Sequence, residues 1–195
     1  MHVALALDVS TSVIGWAVVA TSASTGAHVL ERVPMLRGHI DLRKNKGGYW
    51  SKVDQMEMEL SSVIASISAV HTIDSLFIED PVERFRNGLS SAHTIALLAR
   101  FNALTSQHAR RIIRIDPLYI DATAARKAIG VPLLSKKRSG GVDQKTQCFS
   151  FLCETIFMGE TWPVNRNGRV QPWVLDEIDA TVICWAGLLG LGHRA

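Results

Sequence analysis

An α/β fold built on one mixed sheet is the class this sequence predicts, and three features predict it. The N-terminal region holds closely spaced apolar runs rich in β-branched residues, with a Gly/Ser turn between two of them. Further along, short apolar runs alternate with segments whose apolar residues recur at helical spacing. Three successive strands followed by strand–helix alternation imply antiparallel pairing first and parallel pairing later, in one sheet flanked by helices.

Residues 3–9, 13–21 and 27–36 read as the three strands of an antiparallel meander, with Ser22 to Gly26 as a turn. The basic, glycine-containing stretch LRKNKGGYW leads into a helix over 51–71, where Val53, Met56, Leu60, Val63, Ile64 and Ile67 share one face. A short buried strand follows at 75–79, and Pro81 stops it because proline has no N–H for a ladder. The pattern then predicts a helix over 89–109, a strand over 112–115 and a short helix over 119–129. VPLLSKKRSGG reads as a flexible basic loop, with proline at its start and glycines at its end. Helices near 142–158 and 174–190 close the chain, separated by TWPVNRNGRVQPW.

At 195 residues the chain suits one domain, 1–195, with a core large enough to need no disulfide. Its three cysteines, Cys148, Cys153 and Cys184, lack zinc-site spacing and read as small buried thiols. The seven histidines are scattered without metal spacing and receive no role. No apolar run is long enough to span a bilayer, and Asp8 interrupts the first one too early for a signal peptide. A cytoplasmic protein with no membrane partner is expected. Net charge is only +3, yet ten Lys or Arg stand against three acids from Arg100 to Lys145, and six cations against Asp41 alone from Arg32 to Lys52. Such basic stretches suit a polyanion partner as well as ordinary solvated faces.

Four carboxylates stand out. Asp8 and Glu79 each end an apolar strand, where an isolated charge is costly unless a cation or hydrogen bonds answer it. Asp176 and Asp179 lie three apart on an apolar helix. At 100° per residue, Asp179 sits about 40° from Leu175, inside the apolar arc, and Asp176 lies on its edge. Two local alternatives stand beside a shared site: Asp8 bonded to the hydroxyls of Ser10 or Thr11 in a turn, and acids in a first helical turn serving free N–H groups and the helix dipole. If all four acids converge, mutual repulsion demands cations between them, and hard divalent ions such as Mg²⁺ or Mn²⁺ take such oxygen ligands. Two such ions roughly 4 Å apart activate water and stabilise the leaving oxygen in phosphodiester hydrolysis.

These segments resemble the RuvC group of Holliday junction resolvases, within the RNase H-like superfamily. LALDVSTSVIGWAVV looks like the opening strand pair of that group, FIEDP like the strand carrying its second acid, and DEIDATVICWA like its terminal helix with two acids three apart. KKRSGGVDQKTQC is similar to its basic loop, which leads to a Lys-x-Gln segment at the start of a helix. Order and spacing match over about residues 3–190. The resemblance implies an RNase H-like mixed five-stranded sheet and metal ligands at Asp8, Glu79, Asp176 and Asp179. It further implies two Mg²⁺ per active site with Mn²⁺ able to substitute, an active-site cation at Lys145, and phosphate contacts from Lys136, Lys137 and Arg138.

It also implies a homodimer that cuts four-way DNA junctions symmetrically, with helix 89–109 at the interface and no nucleotide cofactor. Lys44 and Lys46, beside Tyr49 and Trp50, are further candidate DNA contacts, the two aromatics being placed to stack on an exposed base. Where the group has an aromatic soon after the second acid, this chain has Asp80-Pro81-Val82, with Phe85 further on between Arg84 and Arg86. Extra length around 44–50 and 162–173 marks a divergent or phage-encoded member. The rival readings are a nuclease of the same fold acting on RNA–DNA hybrids, flaps or single strands, and a junction-binding protein that does not cut. A third, an actin-like ATPase, also ends its first strand in Asp but needs a duplicated domain.

Overall fold

The computed structural model describes residues 1–21, 35–81 and 91–193. One five-stranded sheet runs through it in the order β3-β2-β1-β4-β5. The strands are β1 (His2–Val9), β2 (Val13–Thr21), β3 (Met35–Asp41), β4 (Ser75–Glu79) and β5 (Leu118–Ile120). β1 pairs antiparallel with β2, as β2 does with β3, whereas β1, β4 and β5 are parallel neighbours. The helices are α1 (Gly48–Ser68), α2 (Ala92–Ile113), α3 (Ala122–Ala128), α4 (Gln144–Thr155) and α5 (Pro172–Leu188). The mixed sheet and its flanking helices are those the sequence predicts. No helix among the described residues is long and apolar enough to cross a membrane.

Strand alternation divides the core in two. Leu5, Leu7, Ile14, Val18, Leu76 and Ile78 face α1 and α2, where they meet Met56, Leu60, Ile64 and Phe101. The centre of the opposite face is small on two strands, with Ala4 and Ala6 on β1 and Gly15 and Ala17 on β2, and Val19 and Phe77 complete it. α5 lies over it and is buried almost all round through its middle, as expected of a helix apolar on every side. Asp8 and Glu79 continue the alternation on the α5 face, one step beyond Ala6 and Phe77 respectively.

Several boundaries differ from the pattern-based reading. The segment 112–115 is not a strand: α2 runs through Ile113, ends at Arg114 in the left-handed conformation (φ 63°), and β5 begins only at Leu118. Ile112, Ile113 and Ile115 satisfy either period, and a run so short carries no information on which one holds. The helix expected over 119–129 is accordingly β5 followed by α3, with Asp121 capping α3 through a bond from the Ala124 amide. The third strand runs on to Asp41, five residues past its expected end at 36, and its polar members Arg37, His39 and Asp41 all fall on one face of an edge strand. The segment 131–141 is a chain of turns pinned by Gln147, whose side chain bonds the amide and carbonyl of Leu134 and the carbonyl of Val142. The expected turn at 22–26, residues 27–34 of the third strand and positions 89–90 lie outside the described residues.

Gly15 decides how close α5 can come. A Cβ added there would stand 2.1 Å from the main-chain oxygen of Asp176. That oxygen belongs to the helix backbone and cannot swing aside, so Gly15→Ala must lift the start of α5 from the sheet. A loss of about 3 kcal/mol, the upper end for an overpacked site, is expected in urea denaturation.

Candidate active site

Gly15 is the register partner of Asp8 on β2. The approach of α5 to Gly15 therefore sets Asp176 beside Asp8, and Asp179 follows one turn further along the helix. Asp176 is the fifth residue of α5, and Pro172 fills the first helical position. It is past the free N–H groups, so the capping alternative does not describe it. Nor is Asp8 a local turn acid. Ser10 builds that turn itself, accepting from the amides of Ser12 and Val13 and donating to the carbonyl of Val13.

The cation that answers Asp8 is Lys145. Asp143 caps α4 by accepting from the Thr146 amide, which sets Lys145 in the first turn facing the acids. Its Nζ donates to Asp8 Oδ2 at 2.9 Å and Asp176 Oδ1 at 2.8 Å, and lies 3.0 Å from Asp179 Oδ2. The three carboxylates raise the Lys145 ammonium's pKa against the burial that opposes its charge. Asp179, 2% exposed, has a second cation that sequence reasoning did not find. Arg126 on α3 grips it through both oxygens, Nη2 at 2.9 and 2.8 Å and Nε at 3.2 Å. A signal was present, since Arg126 shares the inner face of its helix with Ala122 and Ile129 and so points where a lone cation has no reason to go.

Glu79 and Asp8 share a hydrogen bond, and their proton affinities separate. Burial and the neighbouring Asp8 charge push Glu79 well above its ordinary value. Burial works against the Asp8 charge too, but the bond from Glu79 and the Lys145 ammonium hold Asp8 below its ordinary value. Glu79 thus carries the shared proton. Two like charges in one apolar corner separate in this way when no second cation stands between them.

All four predicted acids and Lys145 therefore converge. Among the described residues, no group of three or more His, Cys, Asp or Glu is arranged as a ready metal cage. The carboxylates are drawn onto Lys145 and Arg126 instead. The donor set still fits a hard divalent cation: it is all oxygen, anionic and contributed by rigid elements. Among the described residues, the expected DNA contacts make no hydrogen bond or ion pair with this cluster. Lys136, Lys137 and Arg138 are exposed on the turns before α4, and Lys44 and Lys46 on the turn before α1, where Lys46 Nζ bonds the Arg43 carbonyl. Trp50 is 65% exposed, whereas Tyr49 packs edge-on against Phe101. Arg84, Phe85 and Arg86 lie outside the described residues. A histidine given no role also borders the site. His39, cross-strand from Gly15, pairs with the buried Glu177 at 2.7 Å and stacks on Trp173.

Two predictions follow from the charges. Arg126→Met leaves the buried Asp179 with Lys145 as its cation and should cost about 3 kcal/mol, the lower end for a broken buried pair, in urea denaturation, with part of the loss recovered when Asp179→Asn is added. For Glu79 the sign runs through proton uptake. Its folded form holds a proton that the unfolded chain releases near 4.5, so stability in EDTA falls as pH rises above that value. Glu79→Gln, which keeps a donor toward Asp8, should melt higher than wild type in EDTA at neutral pH, and the gap should close below pH about 4.5.

No protein-family model and no curated protein matches the sequence. Solved structures do match. Thermus thermophilus RuvC in complex with a Holliday junction substrate superposes with a TM-score of 0.61 at 10% identity, covering 97% of this chain and 95% of that one. A second Thermus thermophilus RuvC structure gives 0.60 at 11% identity, with 99% of each chain covered. The yeast mitochondrial Holliday junction resolvase Ydc2 gives 0.50 at 12% identity, over 96% of this chain and 80% of that one. At such identities the likeness is one of architecture, and this chain has the RuvC-type, RNase H-like fold over nearly its whole length.

Proposed function

We propose that this chain is a divalent-metal-dependent endonuclease that resolves four-way DNA junctions, with 1–195 forming one nuclease domain. The observation that carries the reading is the convergence of Asp8, Glu79, Asp176, Asp179 and Lys145 at one end of a sheet whose fold is that of proteins named as Holliday junction resolvases. The four carboxylates would hold two Mg²⁺, or Mn²⁺ in their place. When bound, such ions supply an activated water and stabilisation of the departing 3′ oxygen.

The chain's own residues do the rest. Lys145 Nζ stands at the centre of the carboxylates, where it offsets their charge and can present an ammonium to a scissile phosphate. Burial raises the proton affinity of Asp179, and Arg126 opposes that rise while it orients the carboxylate through both oxygens. Lys136, Lys137 and Arg138 neutralise phosphates along the strand, and Lys44 and Lys46 add a second basic patch, so binding should weaken as salt rises. A homodimer would match two sites to a substrate with two-fold symmetry, with α2 at its interface. The site of action would be the cytoplasm, at the nucleoid or on phage DNA.

Incubation with a labelled four-way junction and a matched linear duplex, with Mg²⁺ or with EDTA, tests this directly. Paired symmetric nicks in the junction alone, and only with metal, are expected. Asp179→Asn should leave cleavage at background while junction binding is kept or tightened, because a ligand and a negative charge are lost together. Full activity in that variant, or equal cutting of RNA–DNA hybrids and flaps, would overturn the junction-resolving assignment.

A further inference from the structure

The two strand-borne acids stand where the parallel ladder has run out. β1 and β4 pair in register from Ala4 and Ser75 up to Leu7 and Ile78, one residue short of both Asp8 and Glu79. On its other side Glu79 is still held, since it pairs with Ile120 of β5 and the next amide, that of Asp80, bonds the Ile120 carbonyl. Pro81 then removes the donor that would carry the strand further. On the β1 side, the peptide that aims Glu79 at Asp8 thus has no strand to fix it.

A side chain from the opposite layer takes that place. Asn102 on α2, 4% exposed, donates its Nδ2–H to the main-chain oxygen of Glu79 at 3.0 Å. One turn later Ser106, equally buried, donates to Asn102 Oδ1 at 3.2 Å and so fixes which end of the amide faces the strand. Phe101, fully buried beside Asn102, anchors this part of α2 to the core under β1 and β4. Asn102 and Ser106 are both buried, and buried polar groups are retained only if each finds its partner.

We infer that Asn102 is a positioning residue for the candidate metal site: with Ser106 behind it, it replaces the missing ladder contact at the end of β4 and so sets the direction in which Glu79 presents its carboxylate. This role rests on the nuclease reading above, in which Glu79 is a metal ligand. Groups that orient a ligand from behind typically change metal affinity by 10–100-fold when removed.

Mn²⁺ titration of the full-length protein, read by electron paramagnetic resonance without DNA, tests the role separately from cleavage. Asn102→Leu should weaken Mn²⁺ binding about tenfold, and Ser106→Ala about threefold in the same direction. Thr105→Val is the control. Thr105 is fully buried on the same helix, but its hydroxyl bonds only Phe101 within α2, so its loss should lower the melting temperature and leave Mn²⁺ affinity unchanged. Should Asn102→Leu fail to fold, Ser106→Ala decides. Mn²⁺ affinity in Ser106→Ala and Asn102→Leu equal to that of Thr105→Val would overturn the positioning role alone. A wild-type protein that binds no Mn²⁺, or an Asp8→Asn variant that binds it as well as wild type, would overturn the metal reading and this role with it.

Discussion

A helix can rest on a sheet at backbone distance only where the sheet offers no side chains, and that constraint organises this molecule. β1 and β2 present Ala4, Ala6, Gly15 and Ala17 to α5, and the peptide oxygen of Asp176 comes to within 2.1 Å of where a Cβ on Gly15 would stand. Further along, a Cβ added to Gly187 would stand 2.5 Å from the ring of Phe77 on β4. Two glycines, one on the sheet and one on the helix, thus fix both ends of the same packing. Because Gly15 is also the cross-strand partner of Asp8, the contact that closes the core is the one that brings carboxylates from the two ends of the chain together.

Close packing of acids has an electrostatic consequence that the rest of the fold answers. Asp8 and Asp179 are buried and Asp176 half-buried, and Glu79 adds a fourth carboxyl within hydrogen-bonding reach of Asp8. Two cations and one retained proton balance them. Lys145 arrives on α4 and Arg126 on α3, which gives these short helices a reason to dock against α5 that their modest apolar faces would not supply. Pairs of this kind are poor sources of net stability, since desolvation cancels most of the attraction. Their presence is better explained by the chemistry of a carboxylate site than by folding.

Much of this was legible in the sequence. The alternation from Val3 to Asp8 and the run SLFIE each fix a strand and the side on which its acid falls, and the helical period around Leu175 places Asp179 inward. Position in three dimensions was harder to read where local pattern underdetermines it. Ile112 to Ile115 fits helix and strand alike, and only the left-handed turn at Arg114, set by packing, decides between them. The strand pattern of β3 breaks off at residue 36 because one face beyond it is polar, and that face has a partner, α5, that no local window contains. Arg126 was missed for the same reason. Its meaning depends on Asp179, separated from it by 53 residues.

That separation bears on how the site comes into being. Its acids arise from β1, β4 and α5, and its cations from α3 and α4, so no segment of the unfolded chain holds even a pair of these acids together except Asp176 and Asp179. A cation that needs several of these oxygens at once binds the folded chain and not the unfolded one, and its binding free energy is added to folding in full. The repulsion that the carboxylates impose on the metal-free fold is then not a defect to be minimised. In the metal-dependent nuclease proposed above it would be the part of the folding free energy that a divalent ion returns on binding, and that would explain why strand ends, a glycine contact and buried side chains from both layers are all spent on holding acids where they repel.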